Sequence, residues 1–190
     1  MRDKAELINR IIQKKNYKSY LELGIGAALE TISQIKCDKI VSVDTEKFND
    51  RNPTFVGTTD SYFAQHKEKF DVIYIDAAHD KDQVDKDAVN SMDILNDDGI
   101  IFMHDIGPID RSQIVPTASG TAYQSFFWIR SNPEIDAFSY EFSNGDVLGI
   151  VKLRENPKLM MHFECNFEFY ENNRDLILQK KTLDEVLCLV

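Results

Sequence analysis

Apolar and polar positions along the chain follow two periods. Leu7, Ile8, Ile11 and Ile12 recur at helical spacing behind Asp3 and Glu6, a pair placed like a capping box, so the chain opens with an amphipathic helix. Tyr20-Leu21-Glu22-Leu23 then reads as a short strand entering a glycine turn, with a helix expected from about Ala27 to Ile35. Three further short runs are almost wholly apolar: Ile40–Val43, Val72–Ile75 and Ile100–Met103. Strands buried on both faces of a parallel sheet read this way. Between the last two runs Asp80 and Gln83 suit the N-cap and N3 positions of a helix whose inner face is Val84, Ala88, Met92 and Leu95. Asp98-Gly99 is expected to close that helix and start the next strand.

This alternation predicts an α/β fold, a doubly wound, mostly parallel sheet with right-handed crossovers and helices on both faces. The last third changes period. Phe138–Phe142 alternates, Asn144-Gly145 follows, and Val147–Val151 is apolar, which predicts an antiparallel β-hairpin at the end of the sheet. An irregular stretch from Ile106 to Ala118 precedes it, then an aromatic helix with Tyr123, Phe126, Phe127 and Trp128. These aromatics are read as packing. From about Phe167 the tail is helical, and Thr182 with Glu185 fits a capping box. The expected organisation is one domain over residues 1–152 and a helical extension, 153–190, packed on it.

A chain of 190 residues with 43% hydrophobic and 11% aromatic positions can bury a core of this kind. Its 22 basic and 32 acidic residues leave a net charge of −10, and the longest basic runs are the pairs Lys14-Lys15 and Lys180-Lys181. Such a surface repels a phosphate backbone, so no nucleic acid partner is expected. Cys37, Cys165 and Cys188 are odd in number and lack CxxC spacing, which favours reduced thiols in a cytoplasmic protein. No apolar run approaches the roughly 20 residues of a membrane span, so no membrane association is expected.

Three constellations carry candidate chemistry. In the first, Gly24 and Gly26 end a strand, and Asp44 ends the next one 20 residues after Gly24. Glycines let a ligand approach the backbone, and a carboxylate at Asp44 can accept from both hydroxyls of a ribose. Ala28 stands at the third small position, and Glu22 would oppose a pyrophosphate, so a cationic ligand with a ribose fits better. The second and third are Asp76 with His79, and His104 with Asp105, both at strand ends that should converge on one cleft. Carboxylates and imidazoles there can hold a divalent cation or act as a general base. Thr58-Thr59-Asp60-Ser61, after a third short strand at Phe55-Val56, can cap a helix or touch a nucleobase edge. His66 lies on a charged helix and is read as solvated, and His162 is assigned no role.

In order and spacing these motifs resemble the class I S-adenosylmethionine-dependent methyltransferases, with a Rossmann-like fold, over about Tyr20 to Val151. Glu22–Gly26, Val43-Asp44, Phe70–Asp76 with His79, and Asp98–Asp105 carry the likeness, the last resembling a subgroup with His-Asp after the fifth strand. The resemblance implies S-adenosylmethionine as cofactor, with Glu22 near the methionine amino group, Gly24 and Gly26 along its backbone, Asp44 on the ribose, and Thr59 and Asp60 near the adenine. Asp76, His104 and Asp105 would be the metal positions, with magnesium as one such ion, although relatives more often place a carboxylate at His104. The segment between Asp44 and Phe55 is shorter than the family pattern. The expected reaction is methyl transfer to a hydroxyl of a small-molecule or glycan acceptor, with His79, His104 and Asp105 as catalytic candidates; homo-oligomerisation stays open. The alternatives are an NAD-dependent oxidoreductase and a non-catalytic, methyltransferase-like binding protein.

Overall fold

The computed structural model describes residues 3–26, 31–47, 52–153 and 166–190. Seven strands form one sheet in the order β3-β2-β1-β4-β5-β7-β6. β1 (Ser19–Leu23), β2 (Lys39–Asp44), β3 (Phe55–Val56), β4 (Phe70–Ile75) and β5 (Leu95–Met103) are parallel. β6 (Ile135–Glu141) and β7 (Val147–Leu153) add an antiparallel hairpin beside β5. Its turn falls at Asn144-Gly145, where Gly145 takes a φ of +86°. The order of strands reverses between β1 and β4, and this switch point is where open α/β sheets bind ligands.

Alternate side chains of each strand feed two cores. On one face Leu21, Leu23, Val43, Ile73, Ile75, Ile101 and Met103 pack under α2 (Thr59–Gln65), α3 (Lys81–Asp93), α4 (Ser125–Ser131) and α5 (Phe167–Leu178). On the other, Tyr20, Val72, Tyr74, Ile100 and Phe102 pack under α1 (Lys4–Lys15) and α6 (Leu183–Leu189). Leu7, Ile8 and Ile11 of α1 are completely buried, each contributing about 1.5–3 kcal/mol. The aromatic helix serves packing, since Tyr123, Phe126 and Phe127 are buried and Tyr123 lies 5.0 Å from the Tyr170 ring of α5. His66 is exposed and stacks on Tyr62. Beyond α5, the Lys181 N–H donates to the Ser139 carbonyl over 2.8 Å, so Gln179–Lys181 lies along the free edge of β6.

The capping expectations agree with the structure: Asp3, Thr58, Asp80 and Thr182 each accept from the backbone N–H three residues on. Two expectations change. Of the helix anticipated over 27–35, residues 27–30, Ala28 included, lie outside the described residues, and Ile32–Gln34 make a single 3-10 turn. Leu95 does not belong to the inner face of α3. The helix stops at Asp93, Leu95 pairs with Phe70, and the register shifts before Ile100 meets Val72, so Asp98-Gly99 sits inside a bulged β5. Cys37 and Cys188 are free thiols, while Cys165 and His162 lie outside the described residues, as do residues 48–51 of the short segment after Asp44. Among the described residues no helix is long and apolar enough to cross a membrane.

Candidate active site

The ends of β1, β2 and β4 surround a cavity of about 220 Å³ lined by Gly24, Val43, Asp44, Thr45, Gly57, Thr58, Thr59, Ala77, Ala78 and Gln83. Gly24 has a φ of +82°, and a Cβ there would stand 2.2 Å from the Asp76 carbonyl oxygen, so glycine is required for β1 and β4 to end side by side. Gly26 also turns left-handed, at +57°, but into open space. Asp44 Oδ2 accepts from the N–H of Ile25 at 2.9 Å and of Gly26 at 3.2 Å, while Oδ1 accepts from Glu46 at 3.1 Å. The carboxylate thus shapes the glycine turn and keeps one acceptor site free on Oδ1 at the cavity wall. Thr59 is on that wall; Asp60 is exposed and stands behind Gln83, whose amide nitrogen donates to it over 3.0 Å.

Glu22 lines neither this cavity nor the next. It is 2% exposed, and its Oε2 accepts the Tyr20 phenol proton over 2.5 Å. Burial pushes its carboxyl up to about 8, against the lowering effect of the Tyr20 bond.

A second cavity, about 260 Å³, opens at the ends of β5 and β7 and is lined by Lys4, His104, Asp105, Gly107, Ile109, Gln113, Ser119, Asn144, Gly145 and Asp146. Asp76 connects the two regions. Its backbone abuts Gly24, and its Oδ1 lies 3.0 Å from His104 Nδ1. That nitrogen also faces Asp105 Oδ2 at 3.1 Å, while His104 Nε2 lies 3.3 Å from Asp146 and 2.9 Å from Lys4 Nζ. Burial alone would lower the His104 pKa, but hydrogen bonds to Asp105, Asp146 and Asp76 raise it well above the usual imidazole range. The Lys4 ammonium opposes this, since two donors cannot share a bond; three carboxylates against one ammonium decide for the imidazolium. Asp146 is correspondingly low, at about 2: burial raises it, and the bond and charge of His104, then Lys4, more than reverse that.

His79 is ordered differently. Its Nδ1 is 3.0 Å from the Pro116 carbonyl, which only an N–H satisfies, so when the ring is neutral its Nε2 points a lone pair at Asp105 Oδ2, 3.2 Å away. Two acceptors face each other there, an arrangement completed by a proton or a cation. Asp76, His79 and Asp105 offer ligand atoms within 4.8 Å of one another, so this trio, rather than one built on His104, presents the converging donors. The carbonyl behind His79 is the outer-shell partner that orients a metal-binding imidazole, and a set of two carboxylates and one imidazole suits a divalent ion. Asp105 holds a φ of +56°, a left-handed position that aspartate tolerates, and accepts from Ser119 Oγ over 3.0 Å. The stretch after β5 is thereby tied to the site through Pro116 and Ser119. Lys4, Gln83, Gln113, Ser119, Asn144 and Asp146 were not singled out as site residues from the sequence.

Residues 25–106 match the family model described as a methyltransferase domain. A sequence search among curated proteins finds no match. Solved structures share the fold at low identity. An O-methyltransferase from Bacillus cereus in complex with S-adenosylhomocysteine superposes with a TM-score of 0.58 at 18% identity, covering 79% of this chain and 80% of that one. Cofactor-bound Rv0187 from MTB gives 0.59 at 15%, over 82% and 83%. The MycE methyltransferase from the mycinamycin biosynthetic pathway, in complex with Mg, S-adenosylhomocysteine and mycinamycin VI, gives 0.50 at 14%, over 82% of this chain and 50% of that one.

Proposed function

Starting from a chain that carries a methyltransferase domain on the class I S-adenosylmethionine-dependent methyltransferase fold, we propose that it transfers the methyl group of S-adenosylmethionine to a hydroxyl of a small, polar acceptor such as a sugar. The observation that carries this reading is Asp76, which touches the glycine turn of one cavity and the acid–histidine cluster of the other. The first cavity suits an adenosyl group. Asp44 would hold a ribose hydroxyl, Val43, Ala77 and Ala78 give apolar walls for a planar base, and Thr58, Thr59 and Gln83 give polar edges. Bound there, the cofactor supplies an electrophilic methyl on a sulfonium. The second cavity would take the acceptor: its described lining is mostly polar and contains no Phe, Tyr or Trp against which a phenol could stack.

The protein's own part is positioning and proton management. His79 Nε2, whose lone pair faces Asp105 Oδ2, would take the acceptor's hydroxyl proton, and the imidazolium that results would donate to Asp105. His104, held as a cation by three carboxylates, serves as a fixed positive charge rather than a base. A divalent ion on Asp76, His79 and Asp105 would lower the hydroxyl pKa instead, with His79 as ligand. Calorimetry with S-adenosylhomocysteine tests the reading. Wild type should bind it and not NADH, and Asp44→Ala should lose at least about tenfold in affinity, since a charge-assisted hydrogen bond goes at about 1.5–3 kcal/mol. Unchanged affinity in that variant would overturn the assignment.

A further inference from the structure

One face of α3 carries a polar arrangement that methyl transfer does not use. Asp87 is completely buried beneath the first cavity, and its Oδ2, like the Oγ of Ser91 one turn on, has no hydrogen-bond partner. Its Oδ1 accepts from Gln83 Nε2 over 3.0 Å. The same amide nitrogen lies 3.1 Å from Thr59 Oγ1 and 3.0 Å from Asp60 Oδ1. Three oxygens, two of them on carboxylates, therefore surround one end of the Gln83 side chain. Nitrogen is the end that fits, because a carbonyl oxygen turned into that nest would face two carboxylates, which cannot donate, while the Thr59 hydroxyl gives its proton to Asp87. Gln83 nonetheless lines the cavity, and its Oε1 makes no hydrogen bond among the described residues. What it offers a ligand is an acceptor.

We propose that Gln83 Oε1 accepts a hydrogen bond from the exocyclic 6-amino group of the bound adenine, and that Asp87 is the positioning residue that keeps the amide from turning over. The site then distinguishes a 6-amino purine from a 6-oxo purine, whose carbonyl would face Oε1 with no proton between them. This rests on the reading that the cavity lined by Gly24, Asp44 and Thr59 takes the adenosyl group. Asp87 is suited to the task because it is completely buried and its Oδ1, a carboxylate oxygen, can only accept from the Gln83 amide nitrogen.

The experiment compares calorimetric affinities of S-adenosylhomocysteine and its deaminated analogue S-inosylhomocysteine. Wild type should prefer the adenosyl compound by at least about tenfold, the usual worth of a lost hydrogen bond with an opposed acceptor. Gln83→Leu and Gln83→Met, both short of the acceptor and close in volume, should bring the ratio near one; two variants guard against one failing to fold. Asp87→Asn should also lower the ratio, because its amide can donate to Gln83 Oε1 and hold the side chain turned over. A general loss of packing weakens both ligands alike and leaves the ratio in place. A wild-type ratio of one, or Gln83 variants that keep the wild-type ratio, would overturn the proposal. Wild type binding neither compound would overturn the adenosyl reading of the cavity itself.

Discussion

Glu22 offers a direct measurement of what the buried end of β1 costs. Its carboxyl sits at 2% exposure against the Tyr20 hydroxyl, and its pKa is carried from 4.5 to about 8, chiefly by burial. A carboxyl with a raised folded-state pKa binds its proton more tightly in the native than in the unfolded chain. Native stability therefore falls as pH rises from about 4.5, and the loss is complete above about 8. At about 1.4 kcal/mol per decade of pH, the whole effect is roughly 5 kcal/mol. Glu22→Gln keeps an oxygen to accept from Tyr20 and removes the ionisation. Near pH 4.5 the variant and wild type should agree within about 1 kcal/mol, because both side chains are then neutral. Near pH 9 the variant should be the more stable by several kcal/mol, which is roughly 10–20 °C in Tm for a chain of this size. Thermal unfolding followed by circular dichroism across that range reads the difference, in which every other titrating group cancels. A gap of the same size at both ends of the range would refute the buried, protonated carboxyl.

Two further outcomes follow from the site. Gly24→Ala should destabilise the fold by several kcal/mol and abolish S-adenosylhomocysteine binding, since its Cβ would stand 2.2 Å from the Asp76 carbonyl at a φ of +82°; a stable variant that still binds in calorimetry would contradict the close approach. Removing a converging donor with His79→Ala should weaken Mn²⁺ binding, followed by electron paramagnetic resonance, by at least about tenfold, whereas an unchanged Mn²⁺ affinity would take His79 out of the cation site.

The parallel strands and the first cavity were legible because their signals are local. An apolar run and a glycine turn are each written in a few consecutive residues, and the carboxylate stands 20 residues after Gly24, at the interval a strand–turn–strand unit sets. The start of β5 was not, because Leu95 continues the helical spacing of Val84, Ala88 and Met92; only its pairing with Phe70, a contact distant in sequence, takes it into the sheet. The acid–histidine cluster was half legible for the same reason. His79, His104 and Asp105 end strands, but Lys4 comes from the first helix and Asp146 from the hairpin turn, 100 and 42 residues from His104, and no spacing rule connects them. Gln83 read as an N3 residue of a helix, which it also is. Its second duty depends on Asp87 one turn on and on Asp60 from α2, and for Asp60 three-dimensional proximity alone reveals the contact.

The two borders of the sheet bear on how copies of this chain can meet. On one side β3 is only two residues long. On the other, the backbone at Ser139 is already engaged by Gln179 and Lys181 as the tail doubles back. Among the described residues, then, one margin is very short and the other is interrupted at its middle, and both features work against a foreign strand annealing along the edge. Splicing two sheets into one continuous ribbon would have to displace the Gln179–Lys181 segment on one side or extend a two-residue strand on the other, so the architecture favours helices and side chains as the surfaces on which copies meet.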